Sequence, residues 1–343
     1  MLALLACTGA PEPPAVTPVV ATQPGVDGTT LTAGALLDTS GPWGQVGRQW
    51  SDGLRLLQAD VNDGGVLPEP WQLQVVIRDH SYNPQNAVTA YTRMEPDLLW
   101  FVAVLGTPNT LPLLPMVERD GIPLVPTVGV PHGPPLVHMT LHDQVAGALG
   151  SDATGVAVVH SADDAGTAIL EGARSVSAPV AELQVAWSMD APDVAAQLAA
   201  AGAETVVVSL APKQLLELMM AADAAGLDAT WVCPAHHWIH DLRAQLSDEQ
   251  LARLRVIHVT PTADQSPHDL STLAGVHGVE LTDVAAHAYW SGWIQLQAVS
   301  QALSDGAIDR AELAAGLEQP GGLPLLPQGI QVLVPTRQGW GAL

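Results

Sequence analysis

Thr30–Val66 reads TLTAGALLDTSGPWGQVGRQWSDGLRLLQADVNDGGV, and its two halves carry different periodicities. Thr30–Leu37 is a short apolar run of the kind that forms a buried strand. From Gln45 to Asn62 the apolar residues Val46, Trp50, Leu54, Leu57 and Val61 recur every three or four positions, which is the period of an amphipathic helix. A Gly-containing turn separates the two, and a Gly64-Gly65 turn follows. A strand passing through such a turn into a helix is the opening of a parallel α/β unit.

Outward from this stretch the alternation continues. Gln72–Arg78 predicts a second strand, Pro84–Met94 a helix with proline at its first position, and Leu99–Leu105 a third strand. A helix from Pro108 to Arg119 and a strand at Pro123–Thr127 complete the series. The rhythm then restarts, with strands expected at Gly155–His160, Glu182–Trp187, Thr205–Leu210, Thr230–Cys233 and Val256–Thr260. The helices between them are expected at Asp163–Val176, Asp190–Ala201, Lys213–Ala225 and, more weakly, Trp238–Leu254. Leu281–Leu303 reads as one long helix, and Gly329–Val334 as a last strand. Two alternating series imply two doubly wound, parallel-sheet α/β lobes with a cleft between them. The expected division is 29–140 with about 262–312 in the first lobe, and about 141–261 with 313–343 in the second.

The composition agrees with this. A chain of 343 residues is long enough for two cores. With 48% hydrophobic and 14% charged residues it is not a disordered chain. Lys and Arg together number 12 against 35 Asp and Glu, a formal net charge of -23, and Lys213 is the single lysine. Nucleic acid and anionic lipid surfaces need concentrated positive charge, so both are disfavoured as partners. No apolar run reaches the ~18 to 20 residues that span a bilayer.

The N-terminus, Met1-Leu-Ala-Leu-Leu-Ala-Cys7, resembles a bacterial lipobox, in which the cysteine is acylated and becomes the mature terminus. It has no basic segment, and its apolar stretch is shorter than the ~7 to 15 residues usual in such signals. Residues 8–28 hold five prolines, no aromatic residue and no helical period, the composition of a tether. On this reading 1–7 is a lipoprotein signal remnant and 8–28 a Pro-rich tether. Cys7 is the lipidation site, and Cys233 is a buried thiol without a disulfide partner.

Three segments taken together resemble the type I periplasmic-binding family, in its leucine/isoleucine/valine-binding branch. Ser40-Gly41-Pro42, Gly47, and Val61-Asn62 with Gly64-Gly65 match the family's opening strand, loop, helix and turn. Val75–Asp79 leading to Asn83-Pro84 and Ala87 matches its acidic D-x-x-x-(D/N)P-x-x-A stretch. Leu105–Thr110, through Gly121-Ile122-Pro123-Leu124-Val125, matches its loop, helix and apolar strand. Val156–Gly166 resembles the strand and D-D-Y-G loop, with Ala165 where the family has tyrosine. Ala222–Leu227 and Asp283–Trp290 add weaker matches, so the likeness runs over about residues 30–318.

The resemblance implies the periplasmic-binding type I fold. It also implies reversible capture of a small polar ligand, an amino acid or amide among the expected ones, for an ABC-type permease. It places ligand contacts at Thr107, Asn109 and Thr110, at Thr127 and Val128 after the fourth strand, and at Trp43 and Gln45 in the first loop. In the second lobe it points to Asp164 and to His236 and His237. The residues leave alternatives open. Gly106–Thr110 leads into a helix N-terminus, which can hold a carboxylate or can simply be capped by Thr107 and Asn109. Asp163-Asp164 at a helix start can cap it and meet its dipole. Ala165 cannot grip an ammonium group, and neutral imidazoles supply no fixed negative charge, which makes a standard amino acid doubtful as ligand.

Cys233, His236, His237 and His240 have zinc-compatible donors but no paired ligand motif, so no metal and no cofactor is expected. GxSxG, GxxxxGK[ST] and GxGxxG are absent, which disfavours an enzyme. The expectation is an exported, monomeric solute-binding lipoprotein of the cell envelope that faces the periplasm. The alternative is a non-transport interaction or regulatory lipoprotein on the same fold, as in the lipoprotein activators of peptidoglycan synthases.

Overall fold

The structure is a computed structural model that describes residues 23–64, 66–127, 140–150, 153–235, 241–259, 262–263, 269–304, 308–317, 330–337 and 339–342. Cys7, most of the segment 8–28, Val128, His236 and His237 lie outside the described residues.

In the first lobe β2 (Thr30–Leu37) pairs in parallel with β3 (Gln72–Asp79) on one side and β4 (Trp100–Val104) on the other. β5 (Leu124–Pro126) extends the sheet beyond β4, giving the order β3-β2-β4-β5. A short β1 (Val26–Asp27) folds back antiparallel on the first residues of β2. Helix α1 (Gly44–Asn62) buries Val46, Trp50, Leu54, Leu57 and Val61, the stripe read from the sequence. Full burial of each such side chain contributes about 1.5–3 kcal/mol before entropy is counted. Helix α2 (Pro84–Met94) covers the opposite face; it starts at Pro84 and is capped by Asn83 Oδ1, which accepts from the N–H groups of Gln85 and Asn86. Successive residues of β4 serve the two faces, Trp100 and Val102 packing in the core with α1, and Phe101 and Val104 in the cluster with Tyr91 and Met94 of α2.

The continuous helix expected over 108–119 is instead broken into α3 (Thr107–Thr110), a 3₁₀ turn at Leu111–Leu113 and α4 (Leu114–Asp120). Pro108, Pro112 and Pro115 bring no N–H donor, so an unbroken i to i−4 ladder is impossible there.

The second lobe repeats the plan. β6 (Val156–Ser161), β7 (Ala181–Val185), β8 (Thr205–Ser209), β9 (Thr230–Pro234) and β10 (Leu254–His258) form a parallel sheet in the order β7-β6-β8-β9-β10. Helices α5 (Leu141–Leu149) and α6 (Asp164–Val176) pack one face, α7 (Ala191–Ala200) and α8 (Pro212–Ala224) the other. The weak helical stretch before β10 resolves into α9 (Asp241–Gln245) and α10 (Asp248–Arg253), the latter begun by a reciprocal Ser247–Gln250 capping box.

The chain then returns to the first lobe as α11 (Leu270–His277), α12 (Asp283–Leu303) and α13 (Arg310–Leu317). Gln295, fully buried, accepts from Trp100 Nε1 at 3.0 Å and donates to the carbonyl of Val102 at 3.0 Å, so α12 is stitched to β4. Tyr289 donates its hydroxyl to Asp60 Oδ2 of α1 at 2.7 Å. Arg310 donates to Glu95 Oε1 at 2.6 Å and to the carbonyl of Leu98 at 2.7 Å, which keeps α13 on the first lobe past the boundary near 312 expected from the sequence. β11 (Gln331–Thr336) and β12 (Gly339–Ala342) finally add to the second sheet as antiparallel strands beside β10.

One buried cluster ties those last strands to α12. Trp340 of β12 donates Nε1 to Asp283 Oδ1 at 3.0 Å. The Arg243 guanidinium lies 4.8 Å over the Trp340 ring and 3.5 Å from Asp283 Oδ2, both charges nearly excluded from water. Removing one member of a buried pair strands the other. Asp283→Ala is therefore expected to cost about 3 kcal/mol in urea unfolding, and Asp283→Asn clearly less.

His258, at the end of β10, presents its ring edge-on to Trp340 at 4.4 Å. Burial, then the charges of His287 and Arg243, pull its pKa down to about 3. The unfolded chain takes up this proton near pH 6.5, whereas the folded chain refuses it until about pH 3. The contribution to stability is thus complete above the unfolded value and is lost as pH falls through this window. Burial lowers His80 as well, with the same sign. Unfolding free energy is expected to fall between about pH 7.5 and pH 5, and His258→Phe to flatten that fall; an unchanged slope in the variant assigns the proton to another group.

Candidate functional site

Every parallel strand in a lobe delivers its carboxyl end to the same edge of its sheet. In each sheet the strand order reverses beside the first strand of the series, between β2 and β4 and between β6 and β8. Ligands of open α/β sheets settle at such switch points. Here the two switch points face each other across one cleft. Trp43, Tyr82, Leu105–Thr107 and Thr127 line it from the first lobe, and Ser161, Asp163, Ala165 and Ser209 from the second. A side pocket of about 200 Å³ continues past Trp43 to Trp187, Ala211 and Gln214.

The first wall is built by polar groups that hold its loops, Asp38 and His80 buried and Asp79 exposed at a strand end. Asp38, fully buried after β2, accepts from the N–H of Gly41 at 2.5 Å and of Trp43 at 2.8 Å. Gly47 lets α1 approach this loop, since a Cβ there would sit 1.7 Å from the carbonyl oxygen of Asp38. Asp79, at the end of β3, accepts from the N–H groups of Thr39 and Ser81 and from the hydroxyls of Ser40 and Ser81. Burial opposes its charge, but these donors prevail and hold its carboxyl at about 2. His80, also fully buried, accepts from the Tyr82 N–H through Nδ1 at 3.0 Å.

The loop bound this way is strained. Ser81 and Tyr82 both have positive φ, 53° and 52°, a conformation L residues rarely hold. The strain aims the Tyr82 ring into the cleft, 6.0 Å from Trp43 and 5.9 Å from Trp187 between ring centres. Burial, then the charges of Asp163 and Asp38, push the Tyr82 phenol well above its ordinary value, so it stays neutral. Gly106, at φ 92°, makes room for that ring, because a Cβ there would lie 2.6 Å from Tyr82 Cε2.

On the second lobe, Asp163 caps α6. Its Oδ1 accepts from the Gly166 N–H at 2.9 Å and from the Ser161 hydroxyl at 2.6 Å. Ser161 and Ser209 bring their hydroxyls to 3.4 Å of one another. Gln214 holds the loop after β7 by donating Nε2 to the carbonyls of Ala186 at 3.0 Å and Trp187 at 3.3 Å.

Among the residues expected at the site, the structure brings Trp43, Thr107 and Thr127 together on the cleft wall. Others stand apart from it. Asn109 is wholly buried and donates Nδ2 to the Leu105 carbonyl at 3.1 Å, and Thr110 donates its hydroxyl to the Gly106 carbonyl at 3.0 Å. Both thus bond the turn's own carbonyls, and the helix start has no side-chain cap, so the capping by Thr107 and Asn109 that the sequence left open is not formed. Gln45 lies inside the first turn of α1, off the wall. Asp164 is exposed at the start of α6, and its neighbour Asp163 is the carboxylate on the wall. The alternation of strand and helix could not choose between these adjacent acids; the capping geometry does.

Tyr82, Trp187, Ser161 and Ser209 were missed. Each sits at or just beyond the carboxyl end of a strand, and that position is the signal that could have found them. Among the described residues no group of three or more His, Cys, Asp or Glu side chains could hold a metal, and no helix is long and apolar enough to cross a membrane.

The Asp38 loop gives a direct test of this construction. Asp38→Ala leaves the N–H groups of Gly41 and Trp43 without their acceptor, and such a loss costs about 1–3 kcal/mol for each buried group. The expected result is a fall of about 2 kcal/mol or more in stability together with a changed Trp43 environment, read by fluorescence in a background with the distant tryptophans replaced.

A family model described as periplasmic binding protein matches residues 30–340. No curated protein matches the chain. Among solved structures, a fatty acid ABC transporter substrate-binding protein from Thermomonospora curvata superposes with a TM-score of 0.81 at 19% identity, covering 94% of this chain and 92% of its own. A possible leucine/isoleucine/valine-binding protein from Rhodopirellula baltica gives 0.77 at 16% identity, covering 94% and 98%. A branched chain amino acid ABC transporter protein from Thermus thermophilus with bound valine gives 0.77 at 16% identity, covering 91% and 94%. At such identities the likeness carries the fold alone.

Proposed function

Because the chain belongs to the periplasmic binding protein family, we propose that it is a solute receptor, which captures a small molecule between its lobes and presents it to an ABC-type permease. One observation carries this reading: the cleft is lined from the switch points of both sheets, so a solute there touches both lobes at once. Binding such a solute favours the closed arrangement by as much as its contacts differ between closed and open states. Thr107 and Thr127 offer hydroxyls from one wall, Ser161 and Ser209 from the other, and the rings and Leu105 exclude water. Reversible binding needs no covalent step and no cofactor.

The similar structures include a fatty acid ABC transporter substrate-binding protein and one with bound valine, so the solute is chosen by this chain's own lining. Acylation at Cys7, followed by the Pro-rich segment 8–28, holds the receptor at a membrane surface on the extracytoplasmic side. Loss of the acyl mass after Cys7→Ser, with release of the protein from membranes, tests that anchor; retention without acylation rules it out.

The receptor reading is tested by thermal unfolding against a panel of amino acids, amides, organic cations and short carboxylic acids. A binding solute at about 100 times its Kd stabilises by about 2.7 kcal/mol, which raises Tm by several degrees in a chain of this size. Thr107→Ala combined with Ser209→Ala is expected to weaken that solute by at least tenfold while the unliganded Tm changes little. A flat panel in the wild type overturns the receptor reading.

A further inference from the structure

The cleft has an uneven chemistry that narrows the solute, on the premise of the receptor reading above. Neither the main cleft nor its side pocket is lined by a lysine or arginine. Lys213, beside Gln214, points away with its side chain 86% exposed and sits 3.7 Å from Glu217. A carboxylate or phosphate in the cleft would therefore meet no counter-charge among the lining side chains. It would also meet the negative field of Asp163, and of Asp38 behind the wall.

For a cation the same wall is favourable in two ways. Trp43, Tyr82 and Trp187 form a corner of three aromatic rings, the first pair tilted by 34° and the second set edge to face at 89°. Ring faces carry negative potential and attract alkylated ammonium groups, which lose little hydration on entering an apolar site. Asp163 lines both pockets beside this corner, and its two hydrogen bonds to described residues both fall on Oδ1. Among the described lining residues Asp163 is the one carboxylate, and its Oδ2 has no such bond. The backbone that carries each ring is also held: the Trp43 N–H by Asp38, the Tyr82 N–H by His80, and the Trp187 carbonyl by Gln214, with Trp187 itself half exposed. A cage that is rigid before binding loses little entropy when it fills.

We propose that the Trp43–Tyr82–Trp187 corner, with the Asp163 carboxylate beside it, is a binding site for a small organic cation whose charge is an alkylated ammonium group. The four hydroxyls of Thr107, Thr127, Ser161 and Ser209 then receive the polar remainder of the molecule. Ala165 also lines the cleft, where a larger side chain would take up room.

The test compares choline with its uncharged isostere 3,3-dimethylbutan-1-ol, and with leucine and octanoate, by calorimetric titration of the whole protein. Choline is expected to bind at least tenfold more tightly than the isostere. Asp163→Asn keeps the cap of α6, since asparagine caps as well as aspartate, and is expected to weaken choline about tenfold while leaving the isostere within twofold. Trp187→Ala should weaken choline by about fivefold, and Trp187→Phe should recover part of the loss. If leucine, octanoate or the isostere binds and choline does not, the cation site is overturned and the receptor reading stands. If choline binds equally well to Asp163→Asn and Trp187→Ala, the cation lies elsewhere and the assignment to this corner falls. If none of the four binds and the wider panel is also flat, both fall.

Discussion

Parallel strands end on one edge of a sheet with backbone groups that no neighbouring strand can satisfy, and this molecule meets that demand with buried side chains. Asp38, His80 and Gln214 each hydrogen-bond the main chain of a strand-end loop from a buried position, and the exposed Asp79 adds further bonds. A loop held by buried partners cannot trade those bonds freely for water, since each buried group left unpaired costs about 1–3 kcal/mol. The rigidity of the cleft walls follows from this. It also allows the Ser81–Tyr82 backbone to keep a positive φ, because the surrounding bonds over-determine it.

The lobes are continuous with one another rather than strung in sequence. The chain enters the first, passes to the second, returns for α11–α13 and ends in strands of the second. Helix α12 is the element that makes this possible. Its middle is stitched into the first core through Gln295 and Tyr289, and its beginning meets Arg243 and Trp340 of the second lobe through Asp283. The same helix therefore feels any change in the angle between the lobes. That coupling is a physical route by which a solute in the cleft can alter the surface presented outside it.

Within the cleft, apolar and polar contributions are divided by position. Rings and aliphatic side chains cover the walls, whereas hydroxyls come from strand ends at the switch points, where a short side chain reaches a ligand without a long lever. With no lysine or arginine among the described lining residues, attraction for a solute comes from ring faces, hydroxyls and one carboxylate. The chain's net charge of -23 acts in the same direction. That overall field affects encounter rates at low salt and is screened over about 10 Å, so the local groups decide affinity.

Local periodicity made the architecture legible. The Val46-to-Val61 stripe, the proline at the head of α2 and the repeated strand–helix rhythm depend on interactions between residues a few positions apart, and their signals are in the sequence itself. The signal of Pro108, Pro112 and Pro115 is equally local, and it breaks the continuous helix expected there. The site was legible only where family-like motifs mark strand ends, at Trp43, Thr107 and Thr127. Tyr82 and Trp187 carry no such mark, being separated by more than a hundred residues and joined only by the meeting of two lobes. The choice of Asp163 over Asp164, and of Ser161 and Ser209 as wall residues, came from the rotation at which each strand end emerges. The sequence by itself determined two parallel α/β lobes; only the tertiary structure decided which strand-end side chains converge, because convergence depends on strand order and on packing between residues distant in the chain.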